Sequence, residues 1–418
     1  MRSDSRDAGY RPRLIDRGIS ELLAAVPAVM LVGPRAVGKT TTALRHARTV
    51  VRLDREAEAI PMRADPDAAL RGLPEPILID EWQVVPDVLG AVKRSVDVDA
   101  RPGRFIMTGS VRAESSSTNW PGTGRLVRLM LYGLTVRERL GRSVGDLFLE
   151  RLAAGRDVAP ANDTPDLRGY VELALQGGFP ELALAVPQSA RRAWLESYVE
   201  YVLTRDVEAL GAHRDPGRLR RYLEAYAINT AGVVDEATLC QAAGISRPTA
   251  MAYERLLRDL VITEPIAAWT SNRLKRLVLA PKRFVVDPAI ASAVLGVGVE
   301  DVMRDGFILG RIIESFVVSQ LRPELAMAGS RPRLFHVRQQ QGRLEIDLLA
   351  EVGARRVIAI EVKADAAPRA DAARHIFRLR DEVGDAFVQG VVLHTGPRVY
   401  RLGERVIAAP ISSIWAAD

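Results

Sequence analysis

Cysteine is almost absent from this sequence, and the one present, Cys240, has no partner for an internal disulfide. Long apolar runs are absent as well, because the longest stretch, residues 22–32, is too short for a membrane helix and contains Pro27. The amino-terminal residues include Asp4 and Asp7 and have no apolar core, which is unlike a secretory signal. We therefore expect a soluble cytoplasmic protein with no membrane partner.

Lysine is also scarce. Five of the 58 basic residues are lysines, and the other 53 are arginines. The net charge is +6 and the pI is about 9.6. Because genome base composition can produce such a skew, only a local excess of basic residues says anything about nucleic-acid binding.

Residues 33–40, GPRAVGKT, match the phosphate-binding pattern G-x-x-x-x-G-K-[ST]. The apolar residues 29–32 predict a strand that enters this loop, and the residues from Thr40 onward predict a helix that leaves it. Glycines let backbone N–H groups close on phosphates, Lys39 can reach the β- and γ-phosphates of ATP, and Thr40 can bind Mg²⁺. The predicted nucleotide-binding residues are Gly33, Pro34, Arg35, Ala36, Val37, Gly38, Lys39, Thr40 and Thr41.

A strand that ends in acidic residues is expected next to the phosphate loop, and residues 76–81, PILIDE, match this pattern. The apolar run has the composition of a buried parallel strand. Asp80 would hold Mg²⁺, and Glu81 would orient or deprotonate the attacking water.

Two further positions could sense the γ-phosphate. Thr108 or Ser110 follows a predicted strand at 104–107, although capping a turn is an equal alternative. Arg125 follows a segment rich in Ser, Thr, Gly and Pro, and could reach the γ-phosphate in its own chain or in a neighbouring subunit. An ordinary surface arginine is the alternative interpretation.

Residues 235–269 have the rhythm of a helix–turn–helix, with helices at 236–243 and 247–260 and strands of a wing at 261–268 and 274–279. From 247 to 283 the sequence has eight basic and three acidic residues, which is a local excess. The pattern places Arg247, Thr249 and Tyr253 toward a DNA major groove, and Arg273, Lys275 and Arg276 toward phosphates. A winged helix that only packs between domains is the alternative.

The last part of the chain predicts a second site. Glu314 lies in an apolar helix at 307–321, Asp347 in a strand at 343–352, and Glu361 and Lys363 in a strand at 357–363. A hairpin turn at 353–354 would bring Asp347 opposite Glu361, and Glu361 and Lys363 share one face of their strand. Carboxylates at Glu314, Asp347 and Glu361 could hold a metal such as Mg²⁺, with Glu361 and Lys363 acting in phosphodiester cleavage. This order of residues resembles the PD-(D/E)xK nuclease fold.

The phosphate loop, the ILIDEWQ strand, the MTGS turn, GRLVRLMLYGLTVRE and GGFPE together resemble a family of AAA-type ATPases that carry a C-terminal domain of unknown function 4143. Arg125 and Glu138 fall at its Gly-Arg and Arg-Glu pairs. The resemblance implies an α/β fold. It would comprise a P-loop NTPase domain with a parallel sheet (1–150), a helical and winged-helix domain (166–300) and an α/β PD-(D/E)xK-like domain (301–418).

Two functions compete at this point. The first is a magnesium-dependent ATPase that acts on nucleic acid, DNA above all, and controls a C-terminal nuclease. The second is an ATP-gated DNA-binding switch, regulatory or toxin-like, whose C-terminal domain does not cleave. An oligomer is compatible with both.

Overall fold

The computed structural model describes residues 9–109, 124–142, 145–207, 215–339, 344–353 and 355–416. These residues form two compact units. The first runs to Leu134 and includes Phe179–Glu181 and Arg258–Val261; the second holds Thr135–Gly178, Leu182–Leu257 and the residues from Ile262. The helical and C-terminal parts thus share one unit, and the domain boundary at 300 stays a prediction. Within the described residues, no helix combines the length and apolar character that crossing a membrane requires.

The first unit is built around a five-stranded parallel sheet with strand order β2-β3-β4-β1-β5. Its strands are β1 Ala28–Val32, β2 Thr49–Arg52, β3 Ile77–Asp80, β4 Phe105–Gly109 and β5 Leu126–Met130. Its helices are α1 Ile15–Leu23, α2 Lys39–Leu44, α3 Glu56–Ala64, α4 Pro66–Leu70 and α5 Val88–Val98, with a 3₁₀ turn at Trp82–Val84.

Strands β1, β3 and β4 are buried along their whole length, which explains their unbroken apolar sequences. Met30, Ile79 and Met107 on these strands share one core with Val88 and Val92 of α5. Because all five strands run in the same direction, their carboxyl ends lie along one edge of the sheet. The loop after β1 and the carboxylates after β3 therefore meet at that edge, which is where open α/β sheets bind their ligands.

The helices after residue 134 are α6 Val136–Arg139, α7 Phe148–Ala153, α8 Leu167–Gln176, α9 Pro180–Leu184, α10 Gln188–Tyr201, α11 Pro216–Ile228, α12 Glu236–Ala243, α13 Arg247–Asp259, α14 Arg273–Arg276, α15 Pro288–Leu295, α16 Val299–Arg304, α17 Gly306–Leu325 and α18 Arg374–Val383. A π-helical turn at Val202–Asp206 extends α10.

The second unit contains a six-stranded mixed sheet with strand order β10-β11-β9-β8-β7-β6. Its strands are β6 Arg333–Gln339, β7 Leu344–Val352, β8 Arg356–Lys363, β9 Phe387–His394, β10 Tyr400–Gly403 and β11 Val406–Pro410. Strands β7 and β8 are antiparallel and pair Leu348 with Ile360, so the next pair in this register is Asp347 with Glu361. Helix α18 packs on the sheet through Ile376 and Leu379.

Residues 411–416 return to the start of the second unit. The carbonyl oxygens of Ser413, Ile414 and Trp415 accept hydrogen bonds from three arginine side chains. The donor–acceptor distances are 2.8 Å from Arg151, 2.9 Å from Arg137 and 3.0 Å from Arg142. Two of these donors, Arg137 and Arg151, are almost completely buried, so their N–H groups need partners inside the protein.

The predicted wing is wrong in part. Residues 263–266 pair with 282–285 only through isolated bridges. The segment expected to be its second strand instead begins with the short helix α14, because the Asn272 side chain accepts the N–H groups of Leu274 and Lys275. The two helices of the predicted helix–turn–helix are present as α12 and α13, separated by Gly244 in the left-handed conformation.

Candidate functional sites

The predicted phosphate loop follows β1 directly and ends at the first residues of α2. Gly38 has φ +90°, a conformation that residues with a side chain rarely adopt. Gly33 is needed for a different reason, because a Cβ there would lie 2.1 Å from the carbonyl oxygen of Leu131. Both glycines of the motif are thus required by the path of the backbone.

Lys39 is buried in this loop. Its Nζ atom donates to the carbonyl oxygens of Gly33 at 3.1 Å and Pro34 at 2.8 Å. The ammonium therefore lies on the concave side of the loop, where phosphates would approach its backbone N–H groups. Arg35, Ala36 and Thr41 are exposed at the same loop.

Arg13 stabilises the phosphate loop, although no sequence pattern identified it. The side chain of Arg13 is buried and donates to the carbonyl oxygen of Val37 at 2.9 Å and to that of Tyr132 at 2.6 Å. Arg13 lies two residues before α1.

Asp80 lies at the carboxyl end of β3 and is almost completely buried. Its Oδ1 atom accepts a hydrogen bond from Thr40 Oγ1 at 2.8 Å and another from the Thr108 hydroxyl. Arg52 Nε lies 3.9 Å from Asp80 Oδ2. Hydrogen bonds to Asp80 thus connect the phosphate loop to β3, and Thr108 lies beside both. Ser110 lies outside the described residues.

Glu81 follows in the left-handed conformation, with φ +55°. Gln83 Nε2 donates a hydrogen bond to Glu81 Oε2. Burial raises the pKa of the Glu81 carboxyl above its usual value, although the nearby Lys39 ammonium and the Gln83 amide oppose this shift. A strained backbone at a half-buried carboxylate with a raised pKa is a common feature of catalytic positions.

Arg125 is not at this edge in its own chain. It precedes Leu126, which pairs with Ala28 at the beginning of β1, whereas the loop follows the end of β1. Its guanidinium pairs with Asp97 of α5. The expectation that Arg125 reaches the γ-phosphate within one chain is therefore wrong, because the parallel register puts it at the opposite edge of the sheet. Glu138 forms a capping box with Thr135 at the start of α6.

In the second unit, the structure brings together all four residues predicted for the C-terminal site. Val362 N donates to Asp347 Oδ2 at 3.0 Å, and Asp347 N lies 3.4 Å from Glu361 Oε2. Lys363 Nζ donates to Glu361 Oε1 at 2.8 Å. The turn residue 354 lies outside the described residues, but the predicted opposition of Asp347 and Glu361 is present.

A fifth residue, Lys282, was not expected there. Its Nζ atom lies 2.5 Å from Glu314 Oε1 and 3.1 Å from Asp347 Oδ1, and its side chain is 6% exposed. Within the described part of the chain, no group of three or more His, Cys, Asp or Glu residues is arranged to hold a metal ion. The carboxylates as they stand do not fit a metal between Glu314 and Asp347, because an ammonium group lies between them.

The pKa values of the three carboxyl groups depend on this arrangement. Burial raises the pKa of Glu314 to about 8, and burial together with the Asp347 charge raises the pKa of Glu361 to about 8. Burial would also raise the pKa of Asp347, but Lys282, the Val362 N–H group and Lys363 hold it below its usual value. Asp347 is thus the carboxylate that most strongly retains its negative charge.

The residues predicted to contact DNA differ in their burial and in their contacts. Tyr253 is buried and forms an edge contact with Tyr222, with ring centroids 5.9 Å apart, so its expected role in a groove is wrong. Arg276 is committed to the Thr270 carbonyl oxygen at 2.6 Å and to Glu351 at 2.9 Å. Thr249 is half-buried, and Arg247 and Lys275 are exposed.

Three family models match successive parts of the chain. The model of the AAA domain matches residues 26–140, a domain of unknown function (DUF8612) matches 167–301, and a domain of unknown function (DUF4143) matches 309–414.

Two relatives are the uncharacterized proteins Rv2008c of Mycobacterium tuberculosis and Mb2031c of Mycobacterium bovis. Each is 27% identical over 421 residues, which covers 99% of this chain and 85% of the relative. Among solved structures, the Walker-type ATPase PABY2304 of Pyrococcus abyssi is similar with a TM-score of 0.43 and 16% identity, covering 70% of this chain and 98% of that one. The AAA and DUF4143 matches confirm the resemblance, drawn from the motifs, to AAA-type ATPases that carry a C-terminal domain of unknown function 4143.

Proposed function

We propose that this protein binds ATP with magnesium and hydrolyses it at the edge of the parallel sheet in the first unit. The observation that carries the proposal is the 2.8 Å hydrogen bond between Thr40 Oγ1 and Asp80 Oδ1, beside a buried lysine in a phosphate loop. A hydroxyl and a carboxylate oxygen side by side are ligands that suit Mg²⁺. Magnesium held there would neutralise charge that develops on the phosphate oxygens.

Different residues of the chain bind the phosphates and activate the attacking water. The loop amides and Lys39 bind the β- and γ-phosphates, and the Lys39 ammonium exchanges the carbonyl oxygens of Gly33 and Pro34 for phosphate oxygens. Glu81 orients the attacking water and accepts its proton; a raised pKa makes it a stronger base near neutral pH. Gln83 fixes the Glu81 carboxylate. In an oligomer, Arg125 would have to act on the nucleotide of a neighbouring subunit.

A second proposal concerns DNA. Arg247, Met251 and Arg255 are spaced four residues apart on α13, so they lie along one stripe of the helix, and all three are exposed. Met251 is 59% exposed. An exposed basic stripe on the second helix of a helix–turn–helix is suited to a DNA groove. We propose that this surface binds DNA and that ATP changes its affinity.

A third proposal concerns the carboxylates of the second unit. The ammonium of Lys282 engages both Glu314 and Asp347, and this favours a C-terminal domain that does not cleave nucleic acid over a metal-dependent nuclease. The protein would then act as an ATP-gated DNA-binding switch.

Replacing Lys39 by alanine tests the phosphate loop. Removing a charged donor to the phosphates should weaken ATP binding roughly 10- to 150-fold. Equilibrium titration with a fluorescent ATP analogue measures the change in affinity. The matched control is Lys93→Ala, because the Lys93 side chain is 45% exposed and pairs with Asp97 at 3.1 Å on the surface of α5. Unchanged affinity in Lys39→Ala would contradict the assignment of the loop.

Replacing Glu81 by glutamine should separate binding from turnover. The amide keeps the size of the side chain but cannot accept a proton, so we expect ATP affinity to persist while steady-state hydrolysis falls about 10²- to 10⁴-fold. Phosphate release measures hydrolysis. Glu58→Gln is a control, because Glu58 instead accepts a hydrogen bond from the Arg52 backbone at 2.6 Å. Full activity in Glu81→Gln would remove Glu81 from the mechanism.

The DNA proposal predicts a change in salt dependence. If Arg247 and Arg255 each bind one DNA phosphate, then Arg247→Ala and Arg255→Ala should each reduce the slope of log K against log salt by about 1. Fluorescence anisotropy with duplex DNA over a salt series, with and without ATP, measures the slope. Arg63→Ala removes an arginine that pairs with Glu56 on α3, and should leave the slope unchanged. DNA binding with the same slope in the wild type and all three variants would refute this surface.

The non-catalytic proposal predicts no cleavage. Wild-type protein incubated with single- and double-stranded DNA or RNA, with Mg²⁺ or Mn²⁺ and with or without ATP, should cut no more than Asp347→Ala. Asp347 is the right position to remove because it contacts both Lys282 and the Val362 N–H group. Cleavage that is present in the wild type and absent in Asp347→Ala would establish a nuclease instead.

A further inference from the structure

The backbone of Lys282 is held in place before its side chain enters the carboxylate cluster. Lys282 and Ile266 exchange two backbone hydrogen bonds, each 2.8 Å long. The neighbouring Arg283 N donates to the Gly232 carbonyl oxygen at 2.8 Å. The ammonium is therefore delivered from a fixed strand-like segment.

The ammonium lies where it bridges two elements of the fold. Glu314 comes from helix α17 and Asp347 from strand β7, and Lys282 Nζ is within 3.1 Å of a carboxylate oxygen of each. A cation that joins these two carboxylates does what a divalent metal would do at the same point. Their side chains are only 11% and 18% exposed, so removing the cation would leave Glu314 without its cation and Asp347 with only the Val362 N–H group and Lys363 to compensate its charge.

The other carboxylate oxygens of Asp347 and Glu361 are engaged as well. Asp347 Oδ2 accepts from Val362 N at 3.0 Å. Glu361 uses Oε1 for Lys363 at 2.8 Å, and its Oε2 lies 3.4 Å from Asp347 N. Two lysines and two backbone N–H groups thus serve the three acidic side chains, so the chain itself supplies the cations of this cluster.

We propose that Lys282 is a resident cation that takes the place of a divalent metal in this nuclease-like site, and that removing its side chain opens a site for Mg²⁺ or Mn²⁺. The ligands of the opened site would be Glu314 and Asp347, whose oxygens suit such ions. This inference rests on the proposed non-catalytic role of the domain, which it deepens, and it is independent of the ATPase.

The first experiment needs no substitution. Reductive methylation followed by mass spectrometry can follow every lysine, because the chain has only five. Lys282 should be modified at least tenfold more slowly than Lys93, because their side chains are 6% and 45% exposed. Adding Mn²⁺ to the nucleotide-free protein should not speed up the modification of Lys282. Faster modification with Mn²⁺ would mean that metal displaces the ammonium, and would overturn the proposal.

The second experiment opens the site. Manganese binding to nucleotide-free protein is measured by electron paramagnetic resonance for the wild type, Lys282→Ala, Asp347→Asn and the double variant Lys282→Ala, Asp347→Asn. Lys282→Ala should gain a Mn²⁺ site at least tenfold tighter than any in the wild type, and the double variant should lose it. If Lys282→Ala does not fold by circular dichroism, Lys282→Gln takes its place, because its amide retains hydrogen-bond donors to the carboxylates.

Two results would overturn the proposal: a wild-type Mn²⁺ site that disappears in Asp347→Asn, or a folded Lys282 variant with no gain in binding. Either result is distinct from a failure of the non-catalytic proposal, which is decided by cleavage of nucleic acid. A wild-type protein that binds Mn²⁺ through Asp347 but cuts nothing would refute only the resident cation.

Discussion

The first unit depends on the hydrogen bonds that the buried carboxylate of Asp80 accepts. Burying a carboxylate is costly unless hydrogen bonds compensate for the lost water, and Asp80 receives them from Thr40 and Thr108. These donors come from the head of α2 and from β4, so one side chain fixes three elements of the sheet edge. The position of the phosphate loop relative to the acidic strand follows from this requirement and from the parallel register.

Local patterns predicted much of this architecture. The glycine and lysine positions of the loop, the buried strand that ends at Asp80, and the opposition of Asp347 and Glu361 all depend on residues close in sequence or on counting through one hairpin. Such geometry is set by strand periodicity and turn chemistry, which a sequence displays directly.

Other positions depend on contacts that a sequence does not display. Arg125 was misplaced because its location follows from the register of β5 against β1. Tyr253 was assigned to a groove, but tertiary packing against Tyr222 buries it. The Asn272 cap replaced a predicted strand by a short helix, and Lys282 reaches the carboxylates from a segment 65 residues before Asp347. In each case, a long-range contact or a cap outweighed the local pattern.

The scarcity of lysine bears on the position of Lys282. Three of the five lysines, at 39, 282 and 363, bond carbonyl or carboxylate oxygens at the two sites. A lysine offers a compact charge on a thin stem, whereas the planar fork of arginine needs several coplanar acceptors. In a chain with 53 arginines, these three lysines thus occupy positions that suit a compact charge, whereas Lys93 and Lys275 are exposed on the surface.

The return of residues 411–416 to α6 and α7 has a consequence for biosynthesis. The carbonyl acceptors of Arg137 and Arg151 in this segment lie 277 and 262 positions further along the chain. The ribosome must therefore expose the first helices of the second unit long before these buried hydrogen bonds can form. Contacts of such wide sequence separation slow folding and prolong the exposure of apolar surface. The sheet of the first unit is complete by Met130 and can form while the rest of the chain is still being translated.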